Sequence, residues 1–329
     1  MTAPIANELF AVTAPGLESI ALGELKRLGV RGKAETGGVS YRGDAETIYS
    51  TNLWLRTASR VVIRAARFHA STFHELERRA KLVPWADFLS ADSSVRLRVT
   101  CRKSRLYHSD AVAERILGAI TRVAPGVSVV EGQSLEADGE HDAPERGTTE
   151  TAAQLFVVRI VGDECEISAD TSGELLHRRG YRQEVGKAPL RETLAAAMLL
   201  ASGWRPAEAL VDPLCGSGTI PIEAALLARG IAPGIQRKFA FMTWAAFDET
   251  AWNRVYESAL GSAREGGELE IVGADRDIGA VEAAARNAER AGVGKNVRLL
   301  AQPLTVTLDA HASGDRPGWV LTNPPYGVR

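Results

Sequence analysis

The sequence predicts an α/β fold, with a doubly wound parallel sheet from about residue 189 onward and an α+β region before it. Three observations predict it. After residue 186, short apolar strand-like runs alternate with helical stretches, the order that builds parallel sheets covered by helices. The first strand-to-helix junction of that series is a glycine-rich turn, Asp212-Pro213-Leu214-Cys215-Gly216-Ser217-Gly218-Thr219. Nearer the N-terminus, the run 95–101 alternates apolar and polar residues instead, the mark of a half-buried strand.

In chain order, residues 8–13 read as a strand, closed by the turn Ala14-Pro15-Gly16. Leu17, Ile20, Ala21, Leu25 and Leu28 recur at helical spacing, and Gly29 stands where a helix stops. Strands at 39–41 and 61–63 flank a second helical stretch, 45–57. In 95–101, Val95, Leu97, Val99 and Cys101 share one face, while Arg96, Arg98 and Thr100 share the other. Arg102, Lys103 and Arg105 extend the basic side. A helix over 109–123 and strands at 127–130 and 154–161 follow. The acidic, polar stretch 131–153 between the last two reads as a mobile loop.

The C-terminal series opens with a helix marked by Leu190, Leu194, Ala197, Met198 and Ala201. A strand at 209–211, a helix at 219–229, a strand at 269–274, a helix at 278–291 and strands at 297–300 and 319–322 complete it. The stretch 230–265, with Trp244 and Trp252, lengthens the first crossover.

Composition narrows the possibilities. At ~100–200 residues per domain, the 329-residue chain holds two or three. Cys101, Cys165 and Cys215 are far apart in sequence and form no CxxC pair, so neither a disulfide framework nor a zinc site is expected. The scattered cysteines make a reducing cytoplasm the simplest reading; no apolar run is long enough to span a membrane, and the N-terminus lacks the shape of a signal peptide. The near-neutral net charge of −2 conceals a segment, 51–130, with fourteen basic against six acidic residues, and a second, 131–170, with two against eleven. The basic segment suits nucleic acid, although a solvated surface has the same composition.

Three motifs carry chemistry. The glycines at 216 and 218 let the backbone bend sharply and approach a ligand, and no Lys follows them, which excludes a Walker phosphate loop. Asp212 ahead of them repels phosphate and welcomes an ammonium group, favouring an amino-acid-like cofactor over a nucleotide polyphosphate. A purely structural turn is the competing reading. The strand 269–274 ends at Asp275, where doubly wound folds hold ribose hydroxyls, while Asp277 suits a helix cap. Last comes Asn323-Pro324-Pro325-Tyr326 at the tip of an apolar strand. The Asn323 side-chain oxygen and the Pro324 carbonyl can accept both hydrogens of an exocyclic amine. The Tyr326 ring can stack on a base that is flipped out or single-stranded. A plain turn is again the alternative.

Taken in this order, DPLCGSGT, the Asp275 strand tip and NPPY resemble the class I S-adenosylmethionine-dependent methyltransferases that modify exocyclic amino groups. RKSRLYHS (102–109), LLHRRGYR (175–182) and KAPLRETLAAAMLL (187–200) resemble the bacterial THUMP-domain RNA methyltransferases, among them the guanine-N2 methyltransferases of large-subunit ribosomal RNA. The resemblance implies a ferredoxin-like unit at 1–64, a THUMP domain at 65–170, a linker at 171–188 and a Rossmann-like methyltransferase domain at 189–329. It places S-adenosylmethionine against Asp212, Pro213, Gly216, Gly218 and Asp275, with Pro189 and Leu190 packed over it. Asn323, Pro324 and Tyr326 would hold the target base. Arg96, Arg98, Arg102, Lys103, Arg178, Arg179 and Arg182 would contact RNA, the last three having interdomain packing as their alternative role.

Two departures from the family pattern stand out. The run Leu300-Ala301-Gln302-Pro303 lacks the usual acidic residue near the adenine amine, so either adenine recognition is weaker there or Gln302 substitutes as the hydrogen-bond partner. Further strands normally follow NPPY, so the domain is read as C-terminally incomplete at Arg329. The expected activity is methyl transfer to guanine N2, by in-line displacement without a metal, with ribosomal RNA as the expected substrate. The alternatives are transfer RNA, adenine-N6 in DNA, or an RNA-binding protein with an inactive, truncated methyltransferase domain. The sequence does not set the oligomeric state.

Overall fold

The computed structural model describes residues 6–90, 92–130, 153–184, 190–265, 267–312 and 318–325. Its strands form two sheets. The first is built from β1 (Asn7–Thr13), β2 (Gly32–Glu35), β3 (Gly38–Gly43), β4 (Ala58–His69), β5 (Ser94–Arg102), β6 (Ser128–Val129), β7 (Gln154–Val161) and β8 (Glu164–Asp170), in the order β2-β3-β1-β4-β8-β7-β5-β6. Period-two alternation places Leu9, Ala11, Val61, Ile63, Val95, Phe156, Val158 and Ile167 in one buried core. The helices α1 (Glu18–Arg27), α2 (Ala45–Trp54), α3 (Phe73–Ala80) and α4 (Ser109–Val123) contribute Leu25, Leu53, Leu76 and Ile116 to it.

β4 is the spine of this sheet. Its first half pairs with β1, from Ile63 opposite Leu9 to Ala58 opposite Thr13, and its second half with β8 as far as His69 opposite Glu164. The register shifts between Arg64 and Ala66, and one continuous strand crosses residue 64. The ferredoxin-like region therefore runs into the following α+β region without a break in backbone pairing.

Some boundaries differ from the sequence reading. The helix expected over 45–57 ends at Trp54, and Leu55 is extended (ψ 116°). The cause is tertiary: the Glu24 carboxylate accepts the backbone N–H groups of Arg56 (2.8 Å) and Thr57 (3.1 Å), drawing the chain out of the helix. Helix α3 was not anticipated, yet it has a start signal, since the Thr72 side chain accepts the Glu75 N–H and Glu75 reaches back to the Ser71 N–H. β8 was missed too. It follows a tight turn in which Gly162 (φ 59°) and Asp163 (φ 65°) both have positive φ, the geometry of a two-residue hairpin.

The second sheet has four parallel strands in the order β11-β10-β9-β12, formed by β9 (Ala209–Asp212), β10 (Ile271–Asp275), β11 (Arg298–Ala301) and β12 (Gly318–Val320). Helices α5 (Glu192–Ser202), α6 (Thr219–Ala228), α7 (Glu249–Gly261), α8 (Ile278–Arg290) and α9 (Leu304–Ala312) complete the region. A second core forms where Leu199, Leu210, Ile220, Ile222, Ile271 and Val293 meet. The long crossover after α6 packs on the first core instead, with Phe239, Phe241 and Trp252 gathered around Tyr49 of α2.

Buried charges tie the two sheets together. The Arg56 guanidinium donates to the Ile231 carbonyl (2.6 Å), and Arg179 donates to the Arg56 carbonyl (2.6 Å). Arg179 Nε also meets Glu223 Oε1 at 3.4 Å, and the Tyr181 hydroxyl donates to the same oxygen at 3.1 Å. Arg237 donates to the carbonyls of Leu175 and Glu174. The link between the sheets is thus held by arginines on backbone carbonyls, which need a fixed geometry to be satisfied.

Candidate active site

The carboxyl ends of β9, β10 and β12 converge on the glycine turn. Gly216 (φ 51°) and Gly218 (φ 86°) lie in the left-handed region that a Cβ disfavours. At Gly218 a Cβ would also come within 2.9 Å of the Ala284 Cβ, so the turn packs directly on α8. Around Gly216 no heavy atom stands within 4 Å of such a Cβ, which leaves the turn's outer side open. The backbone is pinned to β10 by Cys215 N–H donating to the Ala274 carbonyl (2.8 Å) and Gly216 N–H donating to Asp275 Oδ2 (3.0 Å). The Cys215 thiol is buried and its pKa is raised, by burial first, so it stays a neutral packing group and not a nucleophile.

Asp275 has a second task that sequence reasoning missed. Its Oδ1 accepts the Asp277 N–H at 3.0 Å, so both carboxylate oxygens brace backbone. Each oxygen keeps a second lone pair, enough for a hydroxyl donor. Asp277 caps α8 through the N–H groups of Gly279 (2.8 Å) and Ala280 (3.4 Å), in line with the sequence reading.

Asp212 is 2% exposed. Burial pushes its pKa up to about 6; the Thr322 hydroxyl and the Leu214 N–H partly offset this, and the nearby Asp275 charge adds to it. The Thr322 hydroxyl itself is buried without a hydrogen bond of ordinary geometry. β12 lies parallel to β9, with Val320 opposite Val211 and the Leu321 N–H donating to the Val211 carbonyl (3.0 Å). That register carries Thr322, Asn323 and Pro324 past the sheet edge beside Asp212. Asn323 is half-buried and Pro324 exposed, while Tyr326 lies outside the described residues.

A buried carboxylate, an orphaned hydroxyl and an open glycine turn suit an ammonium-bearing, amino-acid-like ligand. They fit the methionine end of S-adenosylmethionine. Gln302 follows β11; its N–H donates to the Asp275 carbonyl (3.0 Å) and its Nε2 to Thr307 Oγ1 (3.0 Å). That commits its amide nitrogen and leaves the amide oxygen for a donor such as an adenine amine.

The stretch 185–189 lies outside the described residues, and the residues on both sides of it are anchored. Before it, Glu184 is held by Arg286 (2.7 Å) and Arg290 (2.8 Å), whose hydrogen bonds pull its pKa down to about 2. Fully buried Asn287 donates to the carbonyls of Glu184 (3.2 Å) and Ser217 (3.1 Å), joining that segment to the glycine turn. After it, Arg182 donates to the Leu190 carbonyl (2.7 Å) and pairs with buried Glu192 (2.9 Å). Leu190 packs against the second core; Pro189 lies outside the described residues. Asn287 carries no motif, and only its place in the fold reveals it.

The residues expected to meet RNA divide in two. Arg96 and Arg98 lie on the sheet face opposite the Val95 and Val99 core face and are partly exposed; Arg102 and Lys103 are exposed at the end of β5. Arg178 is at the surface and pairs with Glu174 (3.8 Å). Arg179 is 3% exposed and Arg182 is engaged with Glu192 and Leu190, so these two have the packing role that was their alternative. Inward carboxylates, Glu223 and Glu192, draw them away from the surface. Among the described residues no group of three or more His, Cys, Asp or Glu is placed to hold a metal, and no helix is long and apolar enough to cross a membrane.

A family profile described as "RMKL-like, methyltransferase domain" matches residues 179–329, and one described as "RlmL ferredoxin-like domain" matches residues 8–62. Sheet order, glycine turn and strand-tip carboxylate together define a class I methyltransferase domain that uses S-adenosylmethionine, joined to a ferredoxin-like N-terminal region. YpsC of Bacillus subtilis (strain 168), named as a candidate RNA methyltransferase, is 35% identical over 98% of this chain and 79% of its own. The ribosomal RNA large subunit methyltransferase K/L of Syntrophotalea carbinolica is 35% identical over all of this chain and 45% of its own. Two solved structures each superpose with a TM-score of 0.81 over 98% of this chain and 81% of theirs. One is a protein of Listeria monocytogenes described as a predicted N6-adenine-specific DNA methylase, 36% identical; the other is SMU.472, solved in complex with SAH, 33% identical. The chain belongs to the RlmL/RlmK-like family of THUMP-containing, S-adenosylmethionine-dependent RNA methyltransferases.

Proposed function

We propose that this protein methylates the exocyclic N2 of a guanine in ribosomal RNA of the large subunit. The observation that carries this reading is the register of β12 on β9, which sets Asn323 and Pro324 beside Asp212 at the carboxyl end of the sheet. The name of the Syntrophotalea relative supports the choice of RNA.

S-adenosylmethionine supplies an electrophilic methyl group on its sulfonium when bound. Asp212 and the Thr322 hydroxyl hold the ammonium end, Gly216 and Gly218 let the backbone approach, and Asp275 takes the ribose. Pro189 and Leu190 cover the site, and Gln302 accepts from the adenine amine. The Asn323 side-chain oxygen and the Pro324 carbonyl accept the two amine hydrogens of the target base. This withdraws the nitrogen lone pair from ring conjugation and aims it at the methyl group. Tyr326 stacks on the extruded base, Arg96, Arg98, Arg102 and Lys103 hold phosphates within a THUMP region over 65–170, and Arg178 does so from the linker that follows it.

A second reading, adenine-N6 in DNA, draws on the description of the Listeria structure. Both amines present the same two hydrogens, so the motif does not separate them. Tritium transfer from labelled cofactor into unmodified ribosomal RNA, transfer RNA and DNA, followed by nucleoside chromatography, decides. N2-methylguanosine in ribosomal RNA alone is the expected product. N6-methyladenine in DNA overturns the proposal, and cofactor binding without transfer to any substrate marks an inactive domain.

A further inference from the structure

The link between β5 and α4 is short, yet it is tied down at several points. Ser104 Oγ donates to the Arg102 carbonyl (2.9 Å) and accepts the Asp163 N–H (3.1 Å). The Arg105 N–H donates to Asp163 Oδ1 (2.7 Å), and the Gly162 N–H to the Arg102 carbonyl (3.2 Å). Leu106, 4% exposed, anchors the loop in the core. Lys103 (φ 48°) and Asp163 (φ 65°) are the two non-glycine residues with positive φ among the described residues, and they stand side by side in this brace. Such conformations persist where surrounding bonds over-determine them.

The brace presents an aromatic ring to solvent. Tyr107 is 68% exposed, and its ring lies 4.0 Å from that of His108 at 42°. Arg105 is 77% exposed along its side chain, and Lys103 and Arg102 are exposed beside it. A stiff loop loses little entropy on binding, the exposed Tyr107 ring offers a flat apolar face, and flanking cations suit a phosphodiester. That is the chemistry by which unpaired nucleotides are gripped without regard to sequence.

We propose that residues 102–108 form a contact site for an unpaired RNA nucleotide, its base stacked on Tyr107 and the adjoining phosphates held by Lys103 and Arg105. This rests on the reading that RNA is the substrate. The site lies in the N-terminal sheet, separate from the glycine turn, and sets which RNA is held and not how methyl is transferred.

The test uses the full chain with two fluorescent RNAs, a stem-loop with an unpaired loop and a fully paired duplex, each titrated at the same series of salt concentrations. Tyr107→Ala is expected to weaken stem-loop binding by about tenfold, with Tyr107→Phe near wild type and duplex binding unchanged. Arg105→Ala is expected to weaken both and to flatten the salt dependence. Cofactor affinity, read by calorimetry, should match wild type in every variant and so reports folding. Equal stem-loop affinity in Tyr107→Ala and wild type overturns the stacking site while leaving the RNA reading intact. Equal loss on duplex and stem-loop also overturns it. Absence of RNA binding by the wild-type chain overturns both.

Discussion

Arg182 and Glu192 form a buried ion pair at 2.9 Å, and the same guanidinium donates to the Leu190 carbonyl at 2.7 Å. Glu192 is 1% exposed, and burial pushes its pKa up to about 7 against the pull of Arg182. The pair thus fixes the entry to α5, the segment proposed to cover the cofactor.

Arg182→Met should therefore loosen that cover. Cofactor Kd is expected to rise about tenfold by calorimetry, with RNA affinity unchanged. Removing one partner of a buried pair costs about 3–5 kcal/mol of stability. The double variant Arg182→Met with Glu192→Gln should recover most of that stability without recovering cofactor affinity. Recovery of both would make the pair a packing device only.

Asp212 gives two pH dependences of opposite sign. In the free protein burial holds its pKa at about 6, above the ordinary aspartate value of 3.8. Its stabilising contribution is complete below about pH 4 and is lost as pH rises through 6. Asp212→Asn should then stabilise the free protein at pH 8 by up to about 3 kcal/mol, read from urea unfolding. If Asp212 holds the ammonium end as proposed, cofactor binding needs the ionised carboxylate, so wild-type affinity should fall as pH drops through 6, and Asp212→Asn should bind weakly at every pH.

The two glycines of the turn should differ. Gly218→Ala meets both an unfavourable φ and the Ala284 Cβ at 2.9 Å, whereas Gly216→Ala meets an unfavourable φ alone. A loss of about 2–4 kcal/mol is expected for the first and about 1 kcal/mol for the second. Thermal melts of the free protein read the difference, and equal losses would contradict the packing of α8 on the turn.

Much of this was legible in the residues because local chemistry and fold agree. Asp277 reads as a cap and is one; the glycine turn, the Asp275 strand tip and the alternating β5 all stand where patterning puts them. What was not legible depends on distant partners. Residues 55–57 have helical spacing, but Glu24, some thirty positions earlier, captures the N–H groups of Arg56 and Thr57. Arg179 looks like a surface cation until Glu223 appears beside it from another element. Asn287 and Thr322 have no spacing signature, since their importance lies in which carbonyl or carboxylate the fold brings near. Helix α3 is a different matter, because Thr72 and Glu75 spell a capping box that periodicity alone did not weigh.

The central claim is that Asn323, set beside Asp212 by β12, grips the amine that receives the methyl group. Asn323→Ala tests it most directly, assayed for tritium transfer to ribosomal RNA alongside calorimetry of the cofactor. Transfer is expected to fall by at least about a thousandfold, with cofactor Kd within about twofold of wild type. Transfer at the wild-type rate would contradict it.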